Sequence, residues 1–164
     1  MLTAEFPDPA LYSRLVDNLY VEAMVMADEA RAYFDGPGLE DREDLDVVVR
    51  LSFACESLKV TTRLMHVIAW LLTQKAWQRG EVGGEALESE RYRLGEAAPT
   101  EEDVVMAMPS RARRLVEDSQ SLFERVRRLQ DKMREASRGG EEKRAGAWRP
   151  GSARDLLSRL EQSF

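Results

Sequence analysis

The chain contains one histidine and one cysteine, so catalytic or metal chemistry of the usual kinds would have to be built on His66 or Cys55. Zinc binding or acid–base work by His66 needs carboxylate or thiol partners one helical turn away, but Thr62 and Trp70 occupy those positions. His66 therefore reads as a packed side chain. Cys55 has Leu51 and Leu58 as neighbours at helical spacing, which predicts a buried, inert thiol rather than a redox centre. The acids Glu40, Asp41, Glu43, Asp44 and Asp46 lack the alternating oxygen ligands and central glycine of a calcium loop, and read as a solvated helix start. Glu22, Glu29 and Glu56 would suit a di-iron bundle only alongside paired Glu-x-x-His motifs, whereas the sole histidine has Arg63 three residues before it. No phosphate-binding glycine loop, paired-cysteine motif or nucleophile elbow occurs. The expectation is a protein without a catalytic, metal or cofactor site, and not an enzyme.

Binding is then the function to look for. Arg111, Arg113, Arg114, Arg125, Arg127, Arg128, Lys132 and Arg134 line one stretch and suggest a phosphate-reading surface, but Glu117, Asp118, Glu124, Asp131 and Glu135 interrupt it. A formal net charge of -6 and a pI near 5.0 further oppose nucleic acid and anionic membranes as partners. A single cysteine permits no intrachain disulfide, and the amino terminus lacks the basic start and apolar core of a secretory signal; both features predict a cytoplasmic protein. The longest nearly apolar run, Leu64 to Leu72, is nine residues, far short of the roughly 20 that cross a bilayer, so no membrane insertion is expected.

The elements that would position such a surface are helices. Leu, Ala, Glu and Arg dominate and isoleucine occurs once, a composition that favours helix over strand. Asp8 before Pro9 starts a first helix whose apolar stripe is Tyr12, Val16, Leu19, Ala23, Met26, Ala30 and Tyr33, ended by Asp35-Gly36-Pro37-Gly38. The acids Glu40 to Asp44 would open a second helix, with a coiled-coil-like seam of Val48, Leu51, Cys55, Leu58, Thr62, Met65, Ala69, Leu72 and Ala76. Leu64, Val67, Ile68 and Leu71, with Trp70 and Trp77 nearby, form a second stripe, so this helix is either central or an interface. From Gly80 to Met108 eight acids against Arg91 and Arg93 give a net charge of -6 in a long connector, where Thr100 and Asp103 have capping-box spacing. Pro109 precedes a third helix carrying Ala112, Leu115, Ser119, Leu122, Val126, Leu129, Met133 and Ala136, widened by Val116 and Phe123.

The predicted fold is all-α: an elongated antiparallel three-helix bundle over residues 1–137, with the long acidic connector between its second and third helices. Residues 138–164 read as a flexible, linker-like tail ending in a short amphipathic helix, in which Leu156, Leu157, Leu160 and Phe164 share a face. Trp148 and those four residues are the candidate partner-binding positions, either packing back on the bundle or docking on another protein.

One stretch carries a family resemblance. Glu56 to Leu72, with Val60-Thr-Thr-Arg-Leu-Met65 joined to Trp70-Leu-Leu72, and its continuation Thr73 to Glu81, is similar to the second helix of the alphaproteobacterial RcdA family. Tyr33-Phe34-Asp35-Gly36-Pro37-Gly38, Tyr92-Arg93-Leu94 and Ser119 to Leu129 resemble the same family in the same order, over about Leu11 to Met133. The resemblance implies a three-helix bundle that forms a homodimer and acts as an adaptor for the ClpXP protease in cell-cycle control. It implies as partners a ClpX-associated adaptor of CpdR type, a PopA-type cyclic-di-GMP effector and proteolytic substrates such as CtrA, with recruitment to a cell pole. The rival readings are a DNA-associated regulator using the basic side of the third helix and a purely structural helical oligomer.

Overall fold

Asp8 accepts a hydrogen bond from the Ala10 N–H at 2.9 Å and Pro9 takes the first helical position, where its missing donor costs nothing. The result is α1, Pro9–Phe34. Its buried residues are Tyr12, Val16, Leu19, Ala23, Met26, Ala30 and Tyr33, the stripe expected from spacing. The computed structural model describes residues 8–147, and no strand occurs among them.

At Gly36 the backbone leaves helical geometry, with φ -124° and ψ -111°, and the chain turns. Proline opens a separate short helix, α2, Pro37–Glu43, which takes up Glu40, Asp41 and Glu43. The acids therefore do not begin the second long helix as expected. They are held away from it because the buried Tyr33 hydroxyl donates to Asp41 at 2.7 Å, while Arg50 donates to the carbonyls of Glu43 and Leu45 and closes the carboxyl end of α2. Gly38 is obligatory here, since a Cβ would lie 2.7 Å from the Tyr33 carbonyl oxygen.

The long helix α3, Val47–Gln78, turns only one of its two stripes to the core. Phe53, Glu56, Val60, Arg63, Leu64, Val67, Trp70, Leu71 and Gln74 face inward, and the cleaner seam from Val48 to Leu72 faces solvent. The polar members of the inner face are tolerated because each is bonded. Gln74 accepts from the Tyr12 hydroxyl at 2.8 Å, and Arg63 reaches the fully buried Ser119. Gly80, at φ 75°, supplies the left-handed residue that ends the helix.

The third long helix is α6, Ser110–Ala147. Tyr12 lies beside Gln74 and Met133 at one end of the bundle, and Tyr33 beside Phe53 and Arg111 at the other. α1 is therefore antiparallel to both α3 and α6, which run parallel to each other. Parallel neighbours need a return crossing, and a 32-residue helix leaves about 48 Å to retrace. That distance is the reason for the long connector. It comprises α4, Gly84–Glu88, a single 3₁₀ turn at Glu90–Tyr92, an extended run over 93–101, and α5, Glu102–Met106. The capping box expected at Thr100 does not form. Glu101 is the N-cap without a side-chain bond, and the Thr100 hydroxyl donates to Glu56 instead, at 2.6 Å.

Arg113 donates to the carbonyls of Val105, Met106 and Met108, tying α5 to the start of α6. α6 buries Ala112, Leu115, Val116, Ser119, Leu122, Val126 and Leu129 against the other helices. It continues through Gly139 and Gly140, so a boundary after Ser137 falls inside a helix. Two glycines cost about 1 kcal/mol each relative to alanine, which a helix already propagated from a packed core absorbs.

Candidate interaction surface on α3

Val48, Leu51, Cys55, Leu58, Thr62, Met65, Ala69 and Leu72 recur along α3 in steps of three and four on the side opposite the core. They are exposed, Val48 at 71%, Leu58 at 68% and Met65 at 63%. From Val48 to Leu72 the stripe runs for about 36 Å at the helical rise. Single exposed apolar residues are ordinary, but a continuous stripe of this length is what protein interfaces present.

The stripe is uncharged in a chain that is 33% charged. α3 has one acid, Glu56, and it is buried on the inner face, 2% exposed. The cations beside the stripe are drawn off it: Arg50 to backbone carbonyls, Lys59 to Glu56 at 2.6 Å, and Lys75 to Asp17 at 2.5 Å. Loss of charge from the centre of a patch, more than bulk hydrophobicity, marks an interface.

Cys55 sits in this stripe and is exposed, which corrects the expectation of a buried thiol. Cys55 lies on the seam that faces solvent, so having Leu51 and Leu58 as neighbours does not bury it. His66 is partly buried as expected for a packed ring. Its Nδ1 is buried without a hydrogen-bond partner, and Gly95 lies directly on the ring, where a Cβ would approach to 2.6 Å.

The carboxylates considered for metal chemistry do not converge. Glu22 pairs with Arg125 across α1 and α6, while Glu56 is bonded to Lys59 and Thr100. Among the described residues no group of three or more His, Cys, Asp or Glu side chains is placed to hold a metal. Much of the basic row on α6 is engaged internally: Arg111 stacks on Tyr33, Arg113 holds carbonyls, Arg125 pairs with Glu22, and Arg127 and Arg128 pair with Glu124. Among the described residues no helix is long and apolar enough to cross a membrane. Trp148, Leu156, Leu157, Leu160 and Phe164 lie outside the described residues.

Sequence reasoning missed a second feature, the polar floor beneath the connector. Arg63, 2% exposed, donates to the Ala98 carbonyl at 3.1 Å and to the Thr100 hydroxyl at 2.6 Å. Burial lowers its proton affinity and the nearby Glu56 carboxylate raises it. The available signal was an Arg and a Glu seven residues apart on the inner face of a helix, where two turns bring side chains into line.

Comparison with known proteins agrees with this architecture. A family model described as a protein of unknown function, DUF1465, matches residues 8–164. Among curated proteins there is no match. The crystal structure of RcdA from Caulobacter crescentus CB15 is 38% identical, with a TM-score of 0.60 over 73% of this chain and 91% of that one. Identity at this level over most of both chains, with a shared helical fold, establishes kinship: the chain belongs to the RcdA family.

Proposed function

We propose that the protein is a non-enzymatic adaptor that associates with itself through the outer stripe of α3 and helps deliver cell-cycle regulators such as CtrA to the ClpXP protease. The observation that carries the binding role is the long, uncharged, solvent-facing seam of α3, which has the 3–4 repeat that lets two helices interdigitate. Membership of the RcdA family supports the proteolytic context. On this reading the partners are a ClpX-associated adaptor of CpdR type, a PopA-type cyclic-di-GMP effector and the substrates themselves. The tail from Trp148 to Phe164 adds a second contact, and linking two modest contacts raises apparent affinity through effective concentration. The protein works in the cytoplasm and is recruited to a cell pole.

The test is reconstituted degradation of CtrA by ClpXP with the family's partners present, comparing the full chain, a chain ending at Ser137 and the pair Leu58→Glu with Met65→Glu. The full chain accelerates degradation and both altered chains lose the effect. Degradation that is indifferent to the full chain contradicts the adaptor role. Acceleration that survives Leu58→Glu with Met65→Glu contradicts the assignment of the stripe.

A further inference from the structure

The extended run of the connector is held much as a binding groove holds a peptide. Its floor is made by α3 and α6, and the side chains that hold it address mainly backbone. Gln130 accepts from the Leu94 N–H at 2.7 Å. Arg63 donates to the Ala98 carbonyl at 3.1 Å, and Lys59 donates to the Pro99 carbonyl at 3.0 Å. Backbone groups are common to all sequences, so such a floor accepts an extended chain with little regard to most of its side chains.

Three positions are selective. Leu94 packs on the bundle core. Gly95 lies against the His66 ring, where any Cβ would come within 2.6 Å of ring atoms. Thr100 bridges the floor, accepting from Arg63 and donating to Glu56, each at 2.6 Å. Pro99 has no N–H to leave unpaired and biases Ala98 toward extended geometry. By contrast, Glu96, Ala98 and Pro99 are exposed, and Arg63, Ala97, Ala98 and Pro99 share an open cavity with Gln120 and Phe123.

The strap also carries a built-in cost. With Gly95 against the ring, His66 Nδ1 is buried with no protein hydrogen-bond partner, and an unmade bond at a buried polar atom costs free energy. Glu56 and Arg63 are each 2% exposed with the strap in place, and together they make a charged floor that an empty groove would expose to water rather than strand in the core.

We propose that the α3–α6 groove is a main-chain-reading peptide site held shut by the chain's own residues 93–100, and that an extended segment of a second protein with the pattern Leu-Gly followed by Pro-Thr takes it when the strap opens. The site lies on the inner side of α3 and is independent of the outer stripe.

The probe is a fluorescent peptide of the sequence Arg91 to Glu101, beside a second peptide that keeps only Leu94, Gly95, Pro99 and Thr100 and a scrambled control. Binding is measured to the full chain, to Gly95→Val, and to a chain whose residues 93–100 are replaced by Gly and Ser. Both patterned peptides bind the two opened chains about tenfold or more tighter than the unaltered protein, because a closed strap reduces apparent affinity by the fraction open; the scrambled peptide binds none of them. In the unaltered full chain, the Leu94 amide exchanges with solvent faster than the core amides of α3, reporting local opening. Absence of peptide binding to a helical opened chain overturns the proposal. So does equal binding of the scrambled peptide, or exchange of strap between two copies in place of peptide capture. Exchange of Leu94 only through global unfolding makes the strap a fixed structural element and overturns it without any variant.

Discussion

Tyr33 concentrates several roles in one side chain. It is 1% exposed, packs near Phe34 and Phe53, and spends its hydroxyl on Asp41. Burial, then the bond to Asp41 and that carboxylate's charge, push its proton affinity above the ordinary tyrosine range, with Arg111 pulling the other way. Burial does the same for Tyr12. A phenol whose folded-state affinity is raised keeps its proton while the unfolded chain loses its own. Stability is thus complete below the unfolded value of about 10 and declines as pH rises beyond it. Urea titrations at increasing alkaline pH will show this decline, and it will be shallower in Tyr33→Phe, which at neutral pH costs about 1 kcal/mol for the lost hydrogen bond.

Glu56 and Arg63 make a stronger residue-scale case. Glu56 is bonded to Lys59 and to the Thr100 hydroxyl that also accepts from Arg63, so Glu56→Ala leaves buried polar partners unsatisfied and will destabilise by about 1–3 kcal/mol in chemical denaturation. A loss within about 0.5 kcal/mol, typical of surface substitutions, would mean that the floor under the connector is solvated.

At the scale of the element, α3 poses a problem that spacing alone cannot solve. It carries two apolar stripes, and the one with the cleaner repeat faces outward. Periodicity identifies a helix and its seams; it does not say which seam meets the core. The inner face was disguised by Glu56, Arg63 and Gln74, which lower its apolar score yet are buried because Thr100, Ser119 and Tyr12 satisfy them. α1 had one stripe and was legible to the residue. α6 was nearly so, apart from its continuation through Gly139 and Gly140. The two faces of α3 predict opposite responses to the same change. Leu71→Ala, at a position with no exposure, will cost about 2–5 kcal/mol. Leu58→Ala will change the stability of the isolated protomer by no more than about 0.5 kcal/mol. Denaturation at dilution, where protomers are separated, measures both.

For the molecule as a whole, the consequence follows from direction. Because α3 and α6 are parallel, the acidic connector is a necessary return path, and its length, legible in sequence, has a geometric cause that was not. Routing that return over the α3–α6 junction leaves the opposite side of α3 uncovered, with an apolar stripe about 36 Å long. The candidate tail residues were read from a stretch beyond the described bundle, whereas the surface that stands out lies on α3, in a seam whose repeat suited a core equally well. On the proposed reading, a single helix serves two binding geometries: a helix-pairing face outside and a backbone-holding groove inside.

The central claim, that the outer face of α3 is where copies of this protein meet, is tested most directly by sedimentation equilibrium over a range of concentrations, with the full chain beside Leu58→Glu with Met65→Glu. A reversible dimer is expected for the full chain and a folded monomer, of unchanged helical content, for the double variant. A full chain that remains monomeric throughout, or a dimer that the two charges leave intact, would contradict it.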